Sequence, residues 1–170
     1  TESSRRIPRM SQPAVFVHSV VTFEAFRERG LSPSVVAGHS VGECAALYAA
    51  GVFGFEEGLN LIAARGRAME EAGGRRPGTM AAIIGLTDEQ VLALCAEISG
   101  EVTAANFNSP EQVVISGEVE AVRSAMKLAE AHGARRVVEL AVSGAFHTSL
   151  MSPAAEILRP VLDRTPFAPA

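Results

Sequence analysis

Apolar residues along this chain switch between two periodicities, and the switches divide it into elements. From Pro13 to Arg29, Val17, Val20, Val21, Phe23, Ala25 and Phe26 give a broad apolar face. Pro13 suits a first helical position and Gly30 a C-terminal cap, so the segment predicts a helix. Leu31 to Ala37 is a short β-branched run and predicts a strand. The alanine-rich stretch Val41 to Ala50 predicts a helix closed by Gly51. From Phe55 to Ala72, Leu59, Ile62, Ala63, Gly66 and Met69 recur at helical spacing and predict a longer helix. Gly73-Gly74-Arg75-Arg76-Pro77-Gly78 is the clearest break in the chain.

Beyond that break the rhythm changes. Thr79 to Leu86 predicts an apolar strand, and Thr87-Asp88-Glu89-Gln90 opens a helix to Ser99 with Val91, Leu94, Cys95 and Ile98 as its stripe. Val102 to Ala105 and Gln112 to Ser116 predict paired strands around a turn at Asn106-Phe107-Asn108-Ser109-Pro110. Val119 to His132 predicts a helix, capped by Gly133, with Val122, Ala125, Met126 and Ala129 inward; Arg135 to Val142 predicts a last strand. The order βαββαβ is the ferredoxin-like arrangement. The expectation is therefore an insert over residues 77–140 between two pieces, 1–76 and 141–170, of a parallel α/β domain. A small-residue loop, Ser143 to Met151, leads to a helix from about Pro153 to Asp163.

Composition narrows the function classes. Apolar residues make up 48% and charged ones 20%, ordinary values for a globular domain, and 170 residues fit one domain with a small insert. A net charge of −4 gives no reason to expect a nucleic acid or an anionic membrane as partner. No apolar run reaches spanning length. Arg5, Arg6 and Arg9 are followed by no apolar h-region, so Thr1 to Met10 does not read as a secretory signal. Cys44 and Cys95 have no metal-like spacing and read as reduced thiols of a cytoplasmic protein; no metal site and no cofactor is expected.

The candidate chemistry lies at Gly38-His39-Ser40-Val41-Gly42, between the predicted strand and the alanine-rich helix. Strand, sharp turn with a serine between small residues, then helix is the context of a nucleophile elbow. An oxyanion forming beside Ser40 would meet the backbone N–H of Val41 at the helix start. A second interpretation makes Ser40 an N-cap with Glu43 as its capping-box partner, and the two are compatible. A serine nucleophile needs a base near neutral pKa. Of the four histidines, His18 lies within a predicted helix, His132 suits a helix C-terminus, and His39 adjoins the serine and points away from it. His147, in the small-residue loop, is the candidate base. Arg65 and Arg67 flank the apolar stripe of their helix; either snorkels to solvent or holds a substrate carboxylate, and spacing alone does not choose.

With these residues in view, the chain resembles the malonyl-CoA:acyl carrier protein transacylases and the acyltransferase domains of fatty-acid and polyketide synthases. The likeness runs through nearly the whole chain: Ser11-Gln12-Pro13-Ala14, Gly38 to Glu43, Ala64-Arg65-Gly66-Arg67, Gly78-Thr79-Met80-Ala81-Ala82, Ala105 to Pro110, Gln112 to Gly117 and Gly144-Ala145-Phe146-His147. The resemblance implies an α/β-hydrolase-like core carrying the ferredoxin-like insert. It implies Ser40 as nucleophile, His147 as base and later acid, Val41 N–H as an oxyanion donor, and Arg65 as partner of the malonyl carboxylate. Gln12, Asn106 and Gln112 correspond to polar residues near that pocket. The implied reaction is ping-pong transfer of malonyl from coenzyme A, as substrate, to the phosphopantetheine thiol of acyl carrier protein.

Val41 after the serine and Phe146 before the histidine match the malonyl-selective pattern of that family. A ring beside the α-carbon leaves little room for a methyl branch, a selectivity of about 1–3 kcal/mol. Gly144, where synthase domains often carry histidine, favours a discrete enzyme. Family members extend beyond both ends of this chain, which implies a portion of a longer enzyme. A serine hydrolase (esterase, thioesterase or patatin-like lipase) on the same elbow is the competing expectation, and a non-catalytic carrier-protein docking module is a third.

Overall fold

The computed structural model describes residues 7–170. Arg5 and Arg6, named in the expectation about a secretory signal, lie outside the described residues. The chain divides into two compact units, one of Met69–Ala154 and one of Pro8–Ala68 with Ala155–Ala170.

The Met69–Ala154 unit is built on a four-stranded antiparallel sheet of β1 (Gly78–Ile84), β2 (Val102–Ser109), β3 (Gln112–Glu118) and β4 (Arg136–Glu139), in the order β2-β3-β1-β4. Two helices alternate with the strands: α4 (Asp88–Glu97) and α5 (Val119–Ala131). Thr87 starts α4 with a full capping box, its hydroxyl accepting from Gln90 N–H while the Gln90 side chain accepts from Thr87 N–H. Alternate residues of the central strands, Ala81, Ile83, Val113 and Ile115, pack on Val91, Leu94 and Cys95 of α4 and Val122, Ala125 and Ala129 of α5. The other face of the same strands is also buried at Met80, Val114 and Ser116.

Several boundaries differ from the sequence expectation. β2 runs to Ser109, so Asn106 to Ser109 form strand and the turn is only Pro110-Glu111, with Glu111 at φ 60°. Two register shifts absorb the irregularity, and β2 is an edge strand, where polar outward side chains are tolerated. β4 is shorter than expected, Arg136–Glu139 rather than Arg135–Val142. The break expected over Gly73–Gly78 narrows to Arg76-Pro77. Helix α3 (Phe55–Arg75) continues through Gly73-Gly74, because Gly73 is packed so closely that a β-carbon there would lie 2.9 Å from the Ser143 carbonyl oxygen.

In the Pro8–Ala68 unit, helix α1 (Pro8–Arg27) starts earlier than expected, with Pro8 rather than Pro13 at its beginning. Its buried stripe is Pro8, Gln12, Phe16 and Val20, four residues apart, while Val21 and Phe26 are exposed. Gly30, at φ 80°, ends it. Phe16, Val20, Cys44, Phe53, Leu61 and Ile62 form the core, with Leu158 and Val161 of α6 (Ser152–Leu162) against it. Phe16 stacks on Phe55 at 6.0 Å and meets the Tyr48 ring edge-on at 6.3 Å. Full burial of a ring such as Phe16 contributes about 1.5–3 kcal/mol.

The expected strand Leu31–Ala37 does not form. The segment is irregular, bends at Ser34 and is exposed apart from half-buried Val36, with Val35 at 85%, and every strand among the described residues belongs to the antiparallel sheet of the other unit. A strand needs a neighbour to satisfy its N–H and C=O groups, and this segment has none among the described residues. The expected parallel pairing is thus absent from the described residues.

Candidate active site

The elbow is sharper than a βα turn requires. Ser40 has φ 51°, the left-handed region that non-glycine residues rarely occupy and that costs of order 1–3 kcal/mol unless its surroundings enforce it. The enforcement is visible. His39 C=O accepts from Gly42 N–H at 2.9 Å, Ser40 C=O from Glu43 N–H at 3.2 Å, and Val41 C=O from Cys44 N–H at 3.3 Å. Gly38 is folded against the far side of the turn: a β-carbon there would lie 2.1 Å from the Gly42 carbonyl carbon. Helix α2 (Gly42–Ala49) follows, and its N-cap is Val41, with no side-chain cap. The capping-box interpretation of Ser40 and Glu43 is therefore not the one adopted, since the cap position has moved one residue on. The Ser40 hydroxyl is left for other partners.

One of those partners is Arg65. From α3 its Nη2 donates to Ser40 Oγ at 3.3 Å, while Nη1 donates to Gln12 Oε1 at 2.5 Å. Gln12 is a buried polar residue of α1, only 8% exposed, and its side-chain oxygen is paired by the guanidinium. The approach of α1 to α3 at this level depends on Gly66, where a β-carbon would stand 2.8 Å from the Pro8 carbonyl oxygen and 2.9 Å from Arg9 Cα. Burial lowers the Arg65 pKa, and the neighbouring Cys44 and Glu43 oppose that shift. Arginine nonetheless keeps its charge in proteins. Burial raises the Cys44 thiol, against the pull of Arg65. The two arginines differ in place: Arg65 bonds the serine, and Arg67 is exposed. Ser40, Arg65 and Gln12, with Val41 at the helix start, thus lie together within one compact unit, a guanidinium beside a hydroxyl on strained backbone.

His147 and Phe146 belong to the other unit. His147 is exposed and sits at φ 64°, a second non-glycine residue in the left-handed region. Its loop is tied on both sides. Thr148 Oγ1 donates to Ala145 C=O at 2.8 Å and accepts from Leu150 N–H at 3.2 Å, which starts the 3-10 turn Ser149–Met151. Ala145 is fully buried, and Gly78 leaves it room, since a β-carbon on Gly78 would lie 2.5 Å from Ala145 Cβ. Phe146 is half-buried, and its ring occupies space that Gly144 leaves open. Asn106 lies opposite Val114 in the β2–β3 pair, and Gln112 opens β3 opposite Ser109 and Ile84; both are half-buried.

The remaining histidines are exposed; His132 Nδ1 lies 2.8 Å from Leu128 C=O at the end of α5. Among the described residues no group of three or more His, Cys, Asp or Glu side chains is arranged to hold a metal ion. None of their helices is long and apolar enough to cross a membrane. Sequence reasoning missed the anchors of the His147 loop, Thr148 and Ser149. Ser149 Oγ donates to Glu101 Oε1, 48 residues away, and no local spacing signals that pairing.

Comparison with known proteins gives a consistent result. The family model described as "Acyl transferase domain" matches residues 3–169. The malonyl CoA-acyl carrier protein transacylase of Bacillus subtilis strain 168 is 43% identical over 156 residues, covering 90% of this chain and 49% of the relative. A solved acyl-carrier-protein S-malonyltransferase from Burkholderia pseudomallei 1710b superposes with a TM-score of 0.91 at 41% identity, over 95% of this chain and 54% of that one. A malonyl-transacylase solved in complex with its type II PKS acyl-carrier protein also reaches 0.91 at 41% identity, over 99% and 55%. The chain thus spans about half the length of the curated relatives it matches.

Proposed function

The chain belongs to the acyl transferase domain family, and on that premise we propose that the protein it represents moves a malonyl group from coenzyme A to the phosphopantetheine thiol of acyl carrier protein, in fatty-acid or polyketide synthesis. The observation that carries the reading is the Ser40 hydroxyl, strained at φ 51° and hydrogen-bonded by a guanidinium that also holds Gln12. A nucleophile for neutral esters has no use for a half-buried cation on the acyl side, whereas an acyl group ending in a carboxylate does.

In the proposed mechanism Ser40 Oγ attacks the thioester carbonyl and its proton passes to His147. The oxyanion takes a hydrogen bond from Val41 N–H. Collapse expels the coenzyme A sulfur, which receives the proton from His147 and leaves a Ser40 ester. The carrier thiol then attacks that ester, gives its proton to His147, and the proton returns to Ser40 Oγ as the acyl group departs. Arg65 binds the malonyl carboxylate through both of its terminal nitrogens, with Gln12 fixing the plane of the fork. Phe146 limits space at the α-carbon, and Asn106 and Gln112 line the acyl pocket as polar residues. No cofactor enters; coenzyme A is substrate.

The order β2-β3-β1-β4 with α4 and α5 between strands fits a ferredoxin-like subdomain. The elbow and its helix fit an α/β-hydrolase-like core to which residues 1–76 and 141–170 contribute, within a longer cytoplasmic enzyme.

The test is the intact mass of the full chain after mixing with malonyl-CoA. A malonyl adduct that is absent in Ser40→Ala and is discharged by acyl carrier protein supports the transferase. Free malonate without adduct or transfer would mean a hydrolase, and no reaction with retained carrier binding would mean a docking module.

A further inference from the structure

His147 adopts a left-handed conformation in an exposed loop, and its neighbours reveal what holds it there. The side following His147 is fastened to the sheet by Ser149, whose Oγ donates to Glu101 Oε1. The other oxygen of the same carboxylate, Oε2, faces Arg76 Nη2 at 3.5 Å, and that nitrogen also lies 3.8 Å from Glu118 Oε1. Glu101 and Glu118 are themselves locked together. Glu101 N–H donates to Glu118 Oε2 at 3.2 Å, and Glu118 N–H donates to Glu101 C=O at 2.8 Å. This double link needs Gly117, where a β-carbon would fall 2.0 Å from the Glu101 carbonyl oxygen. Glu101, just before β2, and Glu118, which ends β3, therefore present one carboxylate in a fixed place. Ser149 is captured by it, and Ser152 Oγ in turn donates to Ser149 C=O at 2.7 Å, at the start of α6.

We propose that Glu101 is a positioning residue for His147: held by Arg76 and the Glu118 backbone, it pins Ser149 and so fixes the backbone two residues earlier, where the imidazole is carried. Isolated surface ion pairs contribute little to stability, so what this triad does is better sought in the backbone that it holds. A strained backbone persists only where its surroundings over-determine it, and the Ser149 link supplies one of those constraints. The proposal rests on the role given to His147 above, and the experiment separates the two.

Steady-state malonyl transfer by the full chain is measured for Ser149→Ala, Ser149→Thr, Glu101→Gln and His147→Ala, and for His147→Ala combined with Ser149→Ala. A misplacement approaching 1 Å costs up to about 100-fold, so Ser149→Ala is expected to lower kcat about 10- to 100-fold. KM for malonyl-CoA and the melting temperature stay near those of the parent, and Ser149→Thr, which keeps the hydroxyl, restores kcat. Glu101→Gln keeps an acceptor for Ser149 but loses the charge that holds Arg76, so it falls between the two. In the His147→Ala background, Ser149→Ala costs nothing further. The same fold loss in both backgrounds, or full activity of Ser149→Ala, overturns the positioning role. Full activity of His147→Ala would instead remove the role of His147, and the positioning role with it.

Discussion

Replacing Gly38 by alanine should damage this protein far more than replacing Gly42, although the two glycines are equivalent in the GxSxG pattern. A β-carbon on Gly38 would lie 2.1 Å from the Gly42 carbonyl carbon and 2.2 Å from Glu43 N, whereas one on Gly42 meets nothing among the described residues within 4 Å. All the atoms that Gly38 would strike are backbone, so no side-chain rotation relieves the overlap. The two arms of the elbow must move apart by about 1 Å, a distortion in the range where overpacking costs about 1–3 kcal/mol and catalytic geometry loses about 100-fold. At Gly42, the first residue of α2, alanine is a better helix former by about 1 kcal/mol in a helix interior and somewhat less at an end. The assay pairs the rate of Ser40 malonylation, followed by intact mass, with a thermal melt. Gly38→Ala should melt lower and load at about one hundredth of the parental rate, and Gly42→Ala should melt at or above the parent. Equal melting losses for the two would falsify the asymmetry read from the elbow.

Two further outcomes follow from single side chains. Arg65→Ala removes a half-buried donor to Ser40 and Gln12, so malonyl loading should fall about 100-fold while acetyl loading falls much less; equal losses would remove the carboxylate role. Burial pushes the Cys95 thiol up to about 11 from 9.0, so the folded state holds its proton where the unfolded chain has lost it. Stability from this group is complete below pH 9, falls by about 2 kcal/mol as pH rises to about 11, and that fall should shrink in Cys95→Ala when denaturant midpoints are compared at pH 8 and pH 10.5.

What the sequence disclosed was the locally determined part. Thr87 and Gln90 are three residues apart, so their capping box could be read directly, as could the α5 stripe of Val122, Ala125 and Ala129. Gly73-Gly74 looked like a stop because local propensity says so, yet the reason for Gly73 is a carbonyl seventy residues on. Leu31 to Ala37 has the composition of a strand, but pairing is a property of two segments, and composition speaks for only one. The apolar face of α1 was misjudged for a related reason. Gln12 lies in its buried stripe because Arg65 receives it there, and hydrophobic periodicity cannot register a polar residue that is buried by its partner. Of the candidate residues, Ser40, Arg65 and His147 were legible as residue types in motif order. The left-handed backbone at Ser40 and His147 and the Glu101–Ser149 link were not, because each arises from contacts made in three dimensions.

The left-handed backbone at Ser40 also bears on how such a position drifts under mutation. Glycine adopts that conformation without penalty, so a Ser40→Gly change relieves a strain of order 1–3 kcal/mol while removing the hydroxyl proposed as nucleophile. Loss of chemistry at this residue therefore comes with a gain in folding stability. On the proposed role, folding stability gives no reason for serine at position 40 and turnover does, so a copy of this gene relieved of selection on turnover has a downhill path toward a sturdier, inert protein.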